Sequence, residues 1–415
     1  MNIVTRGTFW HDVADKDWTD WKWQMRHRIT TVDQLRKVFP EIPTVETEQI
    51  DRVLTHFRMA ITPYYASLID ITNPHCPVRL QAVPSAYELM KAPEDLTDPL
   101  DEDRDTIAPH LTYRYPDRVL MLLTEVCNMY CRHCTRRRKV GEVDAAFDDE
   151  IIDQQVAAIA ARPQVRDIVL SGGDPLTLNE AKLEKILRRL RDIPHVEILR
   201  LGTRAPVVNP FRITPSLLKM MRKYQPIYIN THFNHYKELT PEAVAACEGL
   251  ADAGFPLGNQ SVLLAGVNDS PGVMKKLVHE LLKARVRPYY LYQCDLSVGI
   301  SHFRTSIGKG IEIIEALRGH TSGLGVPTYV VDCPAGGGKV PVGPQYVLSR
   351  SDNKVIFRNY EGQITVYPEP VDHPPTMEHD PATNDPKYQN NLGPSRLLRD
   401  SHFAIEPSYR DLDDD

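Results

Sequence analysis

Arg118-Val119-Leu120-Met121-Leu122-Leu123-Thr124-Glu125-Val126-Cys127-Asn128-Met129-Tyr130-Cys131-Arg132-His133-Cys134 joins a short apolar run to a loop with three thiols at C-x3-C-x2-C spacing. Residues 118–123 read as a strand, and the thiols follow directly after it. Downstream the same texture repeats. Further strands are expected at 167–170, 196–201, 227–230, 258–264, 288–292 and 328–331, with helical patterns at 148–161, 180–191, 215–223, 241–253 and 270–283. This regular β-then-α alternation predicts a parallel sheet, and six or seven such units predict an α/β fold, a full or partial (β/α) barrel. Functional groups in such folds stand on the loops after the strand C-termini, where Cys127, Cys131 and Cys134 fall.

On the N-terminal side the pattern from Trp10 to about Leu100 is helical, and Thr31-Val32-Asp33-Gln34-Leu35 reads as a helix start with an acidic first turn. Residues 94–109, rich in Asp, Glu and Pro, read as a linker or an extended surface crossing. Beyond Pro344, residues 345–349, 354–359 and 363–367 predict a small β-meander with a turn at Glu361-Gly362. From Pro368 the chain is rich in Pro, Asp and Asn and reads as an arm or partly disordered tail. The expected division is an N-terminal helical domain at 1–105, the barrel at 106–343 and a C-terminal β and tail extension at 344–415.

With 415 residues, 42% of them hydrophobic, the chain is long enough for one large catalytic domain and a smaller one. The net charge of -6 and the lack of a long Lys/Arg run give no footprint for nucleic acid. Residues 1–20 mix charges with aromatics, unlike a signal peptide, and no stretch has the length of a membrane span. Seven cysteines are too few for a disulfide framework and suit reduced thiols, so a cytoplasmic location is expected.

Soft thiolates select zinc or iron–sulfur clusters, and four usually complete such a site. Here only three stand together. A four-iron cluster on three cysteines keeps one iron open for a small molecule, and an open iron implies chemistry. A zinc knuckle with His133 as fourth ligand is the competing reading. Two further stretches bear on the choice. Ser171-Gly172-Gly173-Asp174 is a glycine turn after the second strand, where backbone can approach a ligand closely. Asp332-Cys333-Pro334-Ala335-Gly336-Gly337-Gly338-Lys339 closes the last strand with a glycine run that delivers one lysine to the barrel mouth. A lysine amine in a dry site forms Schiff bases with aldehydes, although such loop lysines are more often solvated. The run is no phosphate loop, because Val340 follows Lys339.

The cysteine spacing, with a ring residue before the last thiol, resembles the radical S-adenosylmethionine superfamily. Taken with Tyr115-Pro116-Asp117-Arg118, Thr135-Arg136-Arg137-Arg138, Thr231-His232-Phe233-Asn234-His235 and Tyr292-Gln293-Cys294-Asp295, the chain from about Trp10 to Pro368 closely resembles the lysine 2,3-aminomutase family. The resemblance implies a [4Fe-4S] cluster on Cys127, Cys131 and Cys134, S-adenosylmethionine on the open iron, and pyridoxal 5'-phosphate on Lys339. It implies that Gly172, Gly173, Asp174, His232 and Gln260 contact S-adenosylmethionine. Arg114, Arg118 and Tyr292 would contact the pyridoxal cofactor, and Arg136 the substrate α-carboxylate.

Asp295 and Asp332 match the family carboxylates that hold the distal ammonium of lysine. A buried charge-assisted hydrogen bond contributes roughly 1.5–3 kcal/mol, so two acids favour a basic side chain and make glutamate a poor substrate. The implied reaction moves the α-amino group of L-lysine to the β-carbon. Arginine, whose guanidinium suits paired acids, is the alternative substrate. From a different class, a non-catalytic iron–sulfur or zinc-binding protein would need neither pyridoxal nor S-adenosylmethionine. A radical methylating or cleaving enzyme would leave Lys339 and the two aspartates without a task. Reduced flavodoxin or ferredoxin is the implied electron donor and a homo-oligomer the implied assembly. One departure stands out: no cysteine follows Cys333, and Ser270 occupies the place of a further family cysteine, so the family's zinc site is expected to be absent.

Overall fold

The structure is a computed structural model that describes residues 6–139 and 146–370. The expected C-terminal tail therefore lies, from residue 371, outside the described residues. Ten strands form one sheet in strict chain order. They are β1 (Thr106–Ala108), β2 (Leu111–Tyr115), β3 (Arg118–Leu122), β4 (Asp167–Ser171), β5 (Ile198–Gly202), β6 (Ile227–Thr231), β7 (Leu257–Leu263), β8 (Arg287–Gln293), β9 (Thr328–Cys333) and β10 (Gly338–Pro341). From β3 to β9 every neighbour is parallel. Antiparallel β1–β2–β3 pairing closes one edge and antiparallel β9–β10 pairing the other. The sheet is open, a partial (β/α) barrel of seven parallel strands, and each of the seven expected strands is present with differences only at its ends.

Parallel strands need crossovers, and helices supply all six: Asp149–Ala160, Glu180–Arg191, Pro215–Met221, Pro241–Asp252, Pro271–Lys283 and Ile307–Leu317. Their starts are written in the sequence. Asp148, Asn179, Thr214, Thr240 and Ser306 each accept a backbone N–H from the first turn. In Glu180–Arg191 the buried residues Leu183, Ile186, Leu187 and Leu190 fall at helical spacing and turn one face to the sheet. Each such buried leucine or isoleucine stabilises the fold by roughly 1.5–3 kcal/mol.

Helix Ile307–Leu317 was not among the expected elements. Gly308 and Gly310 dilute its helical pattern, and the reason for Gly310 is tertiary: a Cβ there would stand 2.2 Å from the ring of Tyr329. The stretch 94–109, expected to be a linker or an extended surface crossing, contains β1 and runs against the rest of the first unit. Leu96 N–H donates to the Leu296 carbonyl at 2.7 Å. The N-terminal helices, among them Val32–Val38 with its Thr31/Gln34 capping box, bury Trp18, Tyr64 and Tyr65 in the same hydrophobic core as the barrel strands. Residues up to Gln345 make one compact unit and those from Tyr346 a second. The second contains the expected meander as an antiparallel sheet of β11 (Val347–Arg350), β12 (Lys354–Arg358) and β13 (Ile364–Pro368). Among the described residues no helix is long and apolar enough to cross a membrane.

Candidate active site

Successive strand ends of the first unit each deliver one chemical group to the same end of the sheet. The loop after β3 carries the thiols, β4 leads to Gly172 and Gly173, β5 to Arg204, β6 to His232 and β8 to Asp295. Gln260 lies on β7 and Asp332 on β9. A cavity of about 520 Å³ opens there, lined by Cys127, Cys131, Cys134, Arg136, Gly172, Gly173, Asp174, Arg204 and His232. Three thiols facing a space of that size suit a group wider than a single ion. Among the described residues no three ligating side chains converge as a single-ion site. Burial, and then the neighbouring thiols, push Cys127 well above the usual thiol range, and burial pushes Cys134 up to about 11.

The glycine turn is shaped by the cysteine loop itself. Gly172 adopts φ +127°, and a Cβ on Gly173 would stand 2.2 Å from the Val126 carbonyl oxygen. Gly173 N–H donates to Thr124 O at 2.6 Å and Asp174 N–H to Val126 O at 2.7 Å. Asp174 is buried, and its carboxylate accepts from Thr203 Oγ1 at 2.7 Å and from the N–H groups of Leu176 and Arg204, each at 3.0 Å. It thus ties three loops together as well as lining the cavity. His232 is held neutral, its pKa lowered to about 4 by burial and by Arg204, and its ring hydrogen-bonds the Gln260 backbone.

Sequence reasoning placed Lys339 on a flexible run. In the structure it lies on β10, directly opposite Asp332 across a tight β9–β10 hairpin. Lys339 Nζ donates to Asp332 Oδ1 at 3.1 Å and lies 5.4 Å from the ring centre of Tyr292. Its backbone N–H donates to the Tyr115 hydroxyl at 3.0 Å. The guanidinium of Arg118 stacks on that same Tyr115 ring at 3.9 Å and bonds Asp117 at 3.0 Å. Arg114 is engaged elsewhere, with Asp105 at 2.7 Å and the Leu100 carbonyl.

Thr135 and Arg136 connect the thiols to this second group. Thr135, the residue after Cys134, donates from Oγ1 to Asp295 Oδ2 at 2.5 Å. Burial, and then the charge of Asp332, hold the Asp295 carboxyl up at about 6. Arg136 donates from Nε and Nη2 to Glu102 Oε1 at 2.9 and 2.6 Å, leaving Nη1 outside that pair. Glu102 belongs to an acidic strap that sequence reasoning missed. Asp98 and Asp103 pair with Arg138 at 2.7 and 2.9 Å, Asp103 pairs with Lys139 at 2.9 Å, and Glu94 with Arg304 at 2.8 Å. In the sequence the strap shows only as seven acids between Glu94 and Asp105, with nothing to say which bases they meet. A further missed residue, the fully buried Glu88, accepts from Arg132 Nε at 2.9 Å and Arg137 Nη2 at 2.6 Å and clamps the cysteine loop from the N-terminal segment.

A family model described as the radical SAM superfamily matches residues 121–278, and one described as lysine-2,3-aminomutase matches residues 314–413. The chain is 58% identical over 399 residues to the L-lysine 2,3-aminomutase of Acetoanaerobium sticklandii, covering 96% of each chain. It is 56% identical over 405 residues to that of Clostridium subterminale, covering 98% of this chain and 97% of the relative. It is also 48% identical over 351 residues to the glutamate 2,3-aminomutase of Clostridioides difficile, covering 85% and 83%.

Proposed function

The chain belongs to the lysine 2,3-aminomutase family within the radical S-adenosylmethionine superfamily, and on that premise we propose that it converts L-lysine to L-β-lysine. When bound, a [4Fe-4S] cluster and S-adenosylmethionine supply a 5′-deoxyadenosyl radical, and pyridoxal phosphate carries the amino group between carbons. The residues around them bind, orient and exclude water.

Cys127, Cys131 and Cys134 hold the cluster, with the Gly172-Gly173 turn fixing the loop that presents them. His232 and Gln260 flank S-adenosylmethionine. Lys339 would be the amine for the pyridoxal aldehyde, Tyr292 would lie beside the ring and Arg118 would bind the phosphate, whereas Arg114 is held by Asp105 and the Leu100 carbonyl. Arg136 offers Nη1 to the substrate α-carboxylate while Glu102 grips its other edge. Asp295 and Asp332 receive the distal ammonium. Asp332 is paired with Lys339 in this structure, and it becomes free for the substrate once the lysine amine is engaged elsewhere. The observation that carries this assignment is the Thr135–Asp295 hydrogen bond, which joins the cysteine loop to the two-acid site in a single step.

Two carboxylates repel the acidic end of glutamate, so lysine is the preferred substrate despite the kinship with a glutamate enzyme. Asp295→Ala tests the assignment: β-lysine formation is lost while the cluster and pyridoxal absorbance persist, and retained turnover overturns it. We further infer that the electron comes from a reduced flavodoxin or ferredoxin. A homo-oligomer is supported by the exposed apolar side chains Val347, Leu348, Ile364, Val366 and Tyr367 on the small sheet.

A further inference from the structure

Arg204 sits under the cysteine loop with every nitrogen of its guanidinium engaged. Nη1 donates to Cys131 Sγ at 2.8 Å, Nη2 to Gln81 Oε1 and Glu238 Oε1 at 2.6 and 2.7 Å, and Nε to the His232 carbonyl at 3.1 Å. Its side chain is 8% exposed and that of Glu238 is fully buried. Glu238 is itself fixed: it accepts from the Tyr65 hydroxyl at 2.6 Å and from the N–H groups of Asn234 and His235 at 2.7 and 2.9 Å. A buried cation of fixed orientation therefore points one N–H at one of the three thiols, with its counter-charge on the far side. The structural task of an arginine here would be met by Glu238, Gln81 and His232 alone.

We propose that Arg204 is a positioning residue for electron entry, raising the reduction potential of the cluster through a charge-assisted hydrogen bond to the Cys131 sulfur. This rests on the assignment of Cys131 as a cluster ligand. Reduction adds one electron, taken from the reduced donor, and so one negative charge to the cluster. A cation and N–H donor at a ligand sulfur stabilise that added charge more than the oxidised state, and burial keeps the effect from being screened. Glu238 opposes the shift in part. The two residues consequently act on the potential with opposite signs, which packing damage does not reproduce.

The test is a redox titration of the anaerobically reconstituted full chain, followed by electron paramagnetic resonance without S-adenosylmethionine. Iron and sulfide are counted first in each variant. With Arg204→Gln the reduced-to-oxidised ratio at a fixed applied potential falls about tenfold, a midpoint about 59 mV more negative. Arg204→Lys, which keeps the charge but not the fork, falls between, and Glu238→Gln shifts the midpoint upward. If Arg204→Gln fails to hold iron, the other two variants decide. Iron-replete variants with an unmoved midpoint, or with shifts of one sign, overturn the proposal, as does weakened S-adenosylmethionine binding at constant midpoint. A wild-type chain that takes up no four-iron cluster overturns the assigned function instead.

Discussion

Burial and the charge of Asp332 push the Asp295 carboxyl from 3.8 up to about 6, against the lowering effect of the Thr135 hydroxyl. The sign for stability follows: the folded chain holds this proton more tightly than the unfolded one, so the ionised aspartate weakens the substrate-free fold above about pH 6. The penalty disappears below the unfolded value of 3.8. Asp295→Asn should stabilise the substrate-free fold at pH 8 by at most about 3 kcal/mol, read as a higher thermal midpoint, and have little effect near pH 4. No gain at pH 8 would remove the electrostatic account of this site. For binding the sign is reversed in consequence: the KM for lysine should rise as pH falls through about 6 and the clamp loses its charge. At Lys339 the expectation is covalent. Borohydride treatment of pyridoxal-loaded wild type should leave a pyridoxyl group on the peptide containing Lys339, and Lys339→Ala should take up none. At this scale the thiols carried their own signal, a rare residue type at fixed spacing, whereas Lys339 was singled out by its glycine run and Asp295 and Asp332 only through the family resemblance of the motifs around them. Glu88, Glu102 and Arg204 were not legible, since a lone charged residue acquires meaning only from the partner that tertiary structure brings to it.

Between residues and fold lie the elements that place them. The β9–β10 hairpin turns Lys339 from a loop residue into the cross-strand neighbour of Asp332, through a turn whose positive φ values fall at Ala335, Gly336 and Gly338. Glycines in sequence signalled freedom, whereas here they make a tight turn. The glycine turn after β4 is equally constrained, because the atoms that a Gly173 side chain would meet are backbone atoms of the cysteine loop. Gly173→Ala should therefore lower the iron bound per chain after reconstitution, and full iron loading would show that the loop yields more easily than its packing suggests. The acidic strap was read from its Pro and Asp content as a linker or an extended surface crossing, and its acids pair with basic residues of the unit it crosses. Glu102→Gln should leave Arg136 half-buried without its counter-charge, at a cost of roughly 3 kcal/mol. L-lysine, whose α-carboxylate replaces that charge, should then raise the thermal midpoint more in the variant than in wild type. An equal rise in both would separate Arg136 from substrate binding.

For the molecule as a whole, the alternation of strands and helices made the barrel legible, because each parallel pair demands a crossover and five of the six crossovers left a helical pattern. What escaped were the antiparallel additions at both edges, β1, β2 and β10, which are short and lack that periodic signature. Yet those edges shape the active site, since β2 supplies Tyr115 and β10 supplies Lys339. The cysteine loop after β3 and the groups Asp295, after β8, and Lys339, on β10, come from strands far apart in the sheet order, and the hydrogen bond from Thr135 to Asp295 joins them. This joined site, on the proposed function, migrates the amino group of lysine. The direct measurement gives the reduced, reconstituted enzyme S-adenosylmethionine, pyridoxal phosphate and an equal mixture of L-lysine, L-arginine and L-glutamate, then separates the β-amino acids formed. β-Lysine should dominate; β-arginine or β-glutamate in its place, or S-adenosylmethionine cleavage with no β-amino acid, would contradict the account.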